Sequence, residues 1–186
     1  MKELSKQVLN DSLNVLSKAI RSIKTNHLLD LETISNQLIH SSTLTEDPIT
    51  PIISKLIYSI FKLERHSVIK SVPLPLNEIA NKLISLHDEL GVGKIKVFLE
   101  EAKIVSKYLE NLGKDIHLYN VFERAGVKKG GKLYDHGLSV ARSAERMNVS
   151  QWELYPYLGK TKLNDYPEDV DKRVKYRLNY ARSLFK

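Results

Sequence analysis

The sequence predicts an all-α protein, with a helical bundle over residues 1–113 followed by a basic helix-turn-helix module over 114–186. Three observations predict it. Apolar residues recur at alternating spacings of three and four in five successive stretches. Helix breakers are sparse, with 8 Gly and 6 Pro in 186 residues. A segment near residue 150 carries the caps, turn residue and core positions of two short helices meeting at a turn. Hydrophobic content of 42% and charged content of 27% are ordinary for a globular chain, so a packed core is expected rather than disorder.

The stripes run in order. The first is Leu9, Leu13, Leu16, Ile20 and Ile23, and the second, shorter, is Leu31, Ile34 and Leu38. The third is Ile49, Ile53, Leu56, Ile60 and Leu63, with further apolar residues at Ile52, Ile57 and Phe61 that mark it as the most buried. The fourth is Leu76, Ile79, Leu83, Leu86 and Leu90; the fifth is Phe98, Ala102, Val105, Leu109 and Leu112. A period near 3.5 residues gives each helix one narrow apolar seam, which packs at a shallow angle. Such seams close within one chain or against a second copy, so a homodimer is an expectation of this reading. Boundaries agree with the stripes. Asp47 is placed to cap the third helix, with Pro48 at its first position. Val72-Pro73-Leu74-Pro75 is held extended by its prolines. Gly91-Val92-Gly93 reads as a turn, and Gly113 as a helix C-cap.

The helix-turn-helix lies within residues 138–158. Ser139 caps its first helix, and small Ala144 lies where the helices cross. Asn148 tolerates the left-handed turn. Met147, Val149, Leu154 and Tyr157 supply the apolar core. Ser150 and Glu153 form a capping box for the second helix. Pro156 is expected to end or kink that helix early. Its outward residues are Gln151, Trp152 and Tyr155. Gln151 suits base edges, whereas Trp152 and Tyr155 suit an apolar partner contact.

Net charge is +7, and it is uneven. Residues 115–186 hold 14 Lys/Arg against 9 Asp/Glu, whereas 1–114 hold 15 against 13. A basic C-terminal part suits nucleic acid, double-stranded DNA first. The candidate phosphate contacts are Lys128, Lys129, Lys132, Arg142, Arg146, Lys160 and Lys162, with Gln151 near bases. A protein partner meeting Trp152 and Tyr155 is the alternative, in which the helix-turn-helix is structural. A last helix is expected from Pro167, with Glu168, Asp169 and Asp171 in its first turns and Val174, Leu178, Ala181 and Phe185 as its buried stripe.

The run Lys132-Leu133-Tyr134-Asp135-His136-Gly137-Leu138-Ser139, then Ala144-Glu145 and Val149-Ser150-Gln151-Trp152-Glu153-Leu154, resembles the helix-turn-helix of small prokaryotic antitoxin-like proteins and of uncharacterised archaeal helix-turn-helix proteins. The resemblance covers about 55 C-terminal residues. Ser143 and Asn148 depart from the alanine and glycine of that pattern. It implies a regulatory or binding role, with DNA or a protein as target, and no activity.

Other classes are disfavoured. Without Cys there are no disulfides, thiolate nucleophiles or Cys-based zinc sites, which suits a cytoplasmic protein. The polar N-terminus lacks a signal-peptide h-region. The most apolar run, Ile49 to Phe61, falls short of the roughly 20 residues of a membrane span. The six His show no metal-ligand spacing, and adjacent His87 and Asp88 are expected to diverge on a helix. No phosphate-cradling glycine loop or nucleophile elbow occurs, so no cofactor, no metal and no enzymatic activity are expected. One remote exception is Arg21 and His27, which resemble the R-x(4–6)-H motif of helical ribonucleases of the higher-eukaryote/prokaryote nucleotide-binding class. There the pair acts on an RNA phosphodiester.

Overall fold

The computed structural model describes residues 5–44 and 47–164; the side chains of residues 40, 41 and 44 and of those from 159 onward also lie outside the description. Among the described residues the chain is all-helical: α1 (Lys6–Lys24), α2 (Asp30–Leu44), α3 (Ile49–Lys70), α4 (Leu76–Gly91), α5 (Ile95–Asp115), α6 (Val121–Asp135), α7 (Val140–Met147) and α8 (Gln151–Asn164). None of these helices is long and apolar enough to cross a membrane. The last expected helix, from Pro167, lies outside the described residues.

Helix α3 is the axis. It touches α1, α2, α5, α6 and α7, and between Ile49 and Phe61 every side chain but Ile52 is buried. Its stripe residues Ile49, Ile53, Leu56, Ile60 and Leu63 sit at the centre of a core that also takes in Leu16, Leu38, Leu83, Phe98 and Leu109. That core continues past residue 114 to Ile116, Val121 and Ala125, so helices on both sides of the sequence-drawn boundary share it. α1 lies along α4 and α2, α5 lies on α3, α4 and α6, and α6 carries α7 and α8.

The ends of the helices follow local chemistry. The Asp47 carboxylate accepts from the N–H groups of Ile49 (2.9 Å) and Thr50 (2.8 Å), capping α3 as its spacing predicts. α1, α3, α4, α5, α6 and α7 all close in one way. A residue with positive φ donates to the carbonyl three back, and the next N–H donates to the carbonyl five back. Asn26, Ser71, Gly93, His117, Gly137 and Asn148 take that position. Gly113 therefore corrects its expected role. It lies inside α5, and the left-handed residue is His117. Glycine is required at 113 for closeness, because a Cβ there would strike the Leu118 carbonyl oxygen.

Helix α6 was not anticipated from the sequence, since Gly126, Gly130 and Gly131 weaken it intrinsically. They lie on the face that receives the next two helices. A Cβ on Gly126 would come 2.7 Å from Val149 Cγ1, on Gly130 3.2 Å from Leu154, and on Gly131 2.6 Å from Tyr157. Tertiary packing of α7 and α8 thus explains a glycine-rich helix. The N-terminus of α6 is capped from outside: Glu110 of α5 accepts from the N–H groups of Val121 (3.2 Å) and Phe122 (2.7 Å).

Two buried lysines join early and late helices. Lys129 of α6 is 0% exposed. Its ammonium donates to Ser35 Oγ (2.5 Å) and Asn36 Oδ1 (2.7 Å) of α2 and lies 4.4 Å from the Tyr58 ring centroid. Lys55 of α3 donates to the Met147 carbonyl of α7 (2.8 Å) and stacks 4.2 Å over Phe122. Desolvation pushes Lys129 down to about 7, with Lys132 and Lys128 adding and Glu32 opposing. It pushes Lys55 down to about 8, opposed by Glu123.

Ala is favoured over Gly in helices by about 1 kcal/mol. Here Gly113→Ala and Gly126→Ala are nevertheless expected to destabilise by about 1–3 kcal/mol in urea unfolding, because each Cβ overpacks a fixed neighbour. A stabilised variant would contradict the packing described. The lysines set a pH dependence. An unfolded chain keeps its lysine protons to about pH 10.5, whereas the folded chain releases the Lys129 proton from about 7 and that of Lys55 from about 8. Between those values the unfolded state binds more protons, so stability rises with pH, by up to about 1.4 kcal/mol per unit for each lysine. Urea midpoints at pH 7 and 9.5 should show the rise, and Lys129→Met should reduce it, leaving the part due to Lys55. An equal or falling midpoint in the native chain would refute it.

Candidate nucleic-acid interface

Helices α6, α7 and α8 form the C-terminal unit of the described chain, and the local chemistry of the α7–α8 turn follows the sequence closely. Ser139 Oγ accepts from the Arg142 N–H (3.3 Å) at the start of α7. Asn148, at φ +48°, ends it. Ser150 and Glu153 cap α8 reciprocally, with Ser150 N–H donating to Glu153 Oε2 (2.8 Å) and Glu153 N–H to Ser150 Oγ (3.2 Å). Ala144, Leu154 and Leu158 are buried together beneath Val127, Tyr134, Val140 and Val149. Met147 packs with Ile39 and Leu133, which ties the turn to α2.

Pro156 corrects an expectation. α8 runs through it to Asn164. The missing N–H leaves the Trp152 carbonyl without its helical donor, but Trp152, Tyr155 and Pro156 are all exposed, so water can satisfy that oxygen.

The outer face of α8 carries Gln151, Trp152 and Tyr155. Trp152 is 83% exposed and Tyr155 52%, with ring centroids 6.3 Å apart and planes tilted by 55°. A Trp this open makes no contribution to the core, so the aromatic pair is a surface feature. Glu153, next to Trp152 in the chain, meets Glu123 of α6. Glu153 is held below the ordinary carboxylate range, first by the Ser150 backbone N–H, and Glu123 of α6 is pushed up, first by its hydrogen bond with Glu153.

The expected phosphate contacts do not form one patch. Lys129 is inside the protein, bound to α2, which removes it from any surface. Exposed Arg142 and half-buried Arg146 line a cleft of about 430 Å³ with Asp47, Ile52, Glu145 and Asn148, so acids share their neighbourhood. Lys128 is half-buried, 5.3 Å from the Tyr157 ring centroid, and Lys132 is half-buried on the same helix. The side chains of Lys160 and Lys162 lie outside the described residues.

Two further juxtapositions appear. Arg21 and His27 line a cleft of about 520 Å³ between α1 and α2, together with Lys18, Asp30, Thr33 and Gln37. Thr25 Oγ1 donates to the Arg21 carbonyl (2.9 Å) and lies 3.0 Å from His27 Nδ1. That hydroxyl therefore accepts from Nδ1–H, and the Nε2 of a neutral ring carries the lone pair. His87 and Asp88, expected to diverge, meet at 3.3 Å, and Ser17 Oγ lies 3.1 Å from His87 Nε2. This sequence of groups resembles a nucleophilic triad only in order. Ser17 sits mid-helix, where backbone N–H groups are spent on the helix and none can serve an oxyanion. Sequence spacing could not reveal it, because Ser17 reaches His87 across the α1–α4 contact. No family model, curated protein or solved structure matches this chain.

Proposed function

We propose that this chain is a non-enzymatic, nucleic-acid-associated protein whose helix-turn-helix, α7 and α8, engages DNA. In this reading residues 1–113 are the assembly platform, through which a second copy can pair, and 114–186 are the basic binding module. The observation that carries it is the exposure of Trp152 beside Gln151 and Tyr155 on a helix fixed at its start by a capping box and along its length by the α6 glycines. Gln151 has the donor and acceptor that a base edge requires, and the aromatic pair beside it offers apolar surface to sugars and thymine methyl groups along a groove. The basic excess of residues 115–186 supplies attraction, with Arg142 and Arg146 nearest the turn.

Fluorescence anisotropy on a mixed-sequence duplex tests it. Affinity should fall steeply with salt, Trp152→Ala should weaken binding about ten-fold without loss of helical circular dichroism, and Arg142→Gln should lower the salt slope by about one. If duplex and single strand both fail to bind while a protein partner is lost on Trp152→Ala, the surface serves protein contact instead.

A second reading has one observation in its favour: Arg21 and His27, far from the module, share a cleft with Lys18, and His27 Nε2 is the ring nitrogen left open. In that reading His27 Nε2 takes the proton of an RNA 2′-hydroxyl, the 2′-oxygen bonds to the phosphorus that Arg21 holds, and the P–O5′ bond breaks, the departing 5′-oxygen taking a proton from water. RNA cleavage abolished by His27→Ala would support it. No cleavage by the native chain dismisses it.

A further inference from the structure

A second cleft, of about 430 Å³, opens where α3, the α5–α6 turn, α6 and α8 meet. Its apolar surface comes from Leu118, Val121 and Val127, and Tyr58 and Tyr157 face it from α3 and α8. Among the described residues three cations line it, Lys62, Arg124 and Lys128, and no carboxylate does. Lys62 Nζ lies 5.6 Å from the Tyr58 ring centroid and Lys128 Nζ 5.3 Å from that of Tyr157, so two of the cations are backed by aromatic faces.

The charges here are crowded. The Lys62 ammonium is held below its ordinary range, first by burial and then by Arg65 and Lys128, with Glu32 of α2 as the opposing carboxylate. Cations that repel one another around a concave, partly apolar space are relieved by an anion. Three of them on one cleft suit a phosphate, which spreads charge over several oxygens, better than a single carboxylate. The apolar lining and the Tyr157 ring suit a planar ring, and the volume falls in the range of about 300–1,000 Å³ typical of small-molecule sites.

We propose that this cleft binds a nucleoside phosphate, with Lys62, Arg124 and Lys128 around the phosphate and the base against Val127 and Tyr157. The ligand is a free nucleotide or the phosphorylated end of a nucleic-acid strand, which share this chemistry. An occupant touches both the bundle and α8. The proposal goes beyond the duplex-binding reading and stands without it, since a single nucleotide needs neither Gln151 nor Trp152.

Isothermal titration calorimetry on the full chain tests it with four probes: AMP, adenosine, inorganic phosphate and a 5′-phosphorylated tetranucleotide. AMP or the tetranucleotide should bind, and adenosine and phosphate alone should each bind at least about ten-fold more weakly. Preference for AMP identifies a free nucleotide, and preference for the tetranucleotide identifies a strand end. Lys62→Gln and Arg124→Gln alter exposed side chains, so the fold should survive, verified by circular dichroism. Each should weaken the preferred ligand about ten-fold. Absence of binding by AMP and the tetranucleotide at millimolar concentration overturns the proposal. So does phosphate binding as tightly as AMP, or affinity unchanged in both variants.

Discussion

The hydrogen bond from Lys55 to the Met147 carbonyl ties the end of α7, where the chain turns into α8, to the central helix. Met147 is the last residue of α7, where carbonyls lose their helical donors and the helix dipole presents its negative end. A buried ammonium from the central helix satisfies that end and fixes the point at which the chain turns into α8. Removing the ammonium would leave a buried carbonyl unpaired, and keeping it requires the surrounding Phe122 face and the Gly126 gap that let α6 close around it. The direction of Trp152 is therefore set more than one helix away from Trp152 itself.

Lys129 does the same work one turn along α6, bonding to α2 through Ser35 and Asn36. Together the two lysines make the C-terminal helices part of the α3-centred core rather than an appendage on a linker. Both ammonium groups are costly to bury, and both are compensated by hydrogen bonds and an aromatic face. Such an arrangement specifies one register of α6 against α2 and α3, because a shift by one residue would leave two charges without acceptors.

Much of this was legible in the sequence. The five apolar stripes correspond to α1 to α5, Asp47 caps where its spacing to Thr50 says it should, and Ser139, Asn148, Ser150 and Glu153 do at the α7–α8 turn what their chemistry demands. What was not legible depended on distant partners. Gly126, Gly130 and Gly131 read as a weak segment until Val149, Leu154 and Tyr157 are seen to fill the space above them. Lys129 reads as one more surface cation in a basic run, because nothing local shows that Ser35, some ninety residues earlier, lies beside it. His117 at a left-handed position, and Ser17 beside His87, are likewise products of packing. The cleft between Tyr58 and Tyr157 joins residues about a hundred apart, so its three cations could not be grouped from spacing alone.

In the proposed function α8 presents its aromatic face to nucleic acid. Because the chain has one Trp, the indole N–H of Trp152 gives one resonance in a proton–nitrogen NMR spectrum. On addition of a mixed-sequence duplex at low salt that resonance should shift or broaden, and high salt should return it to its free position. A resonance that stays in place while the duplex binds elsewhere on the protein, or stays in place because nothing binds, would contradict the account.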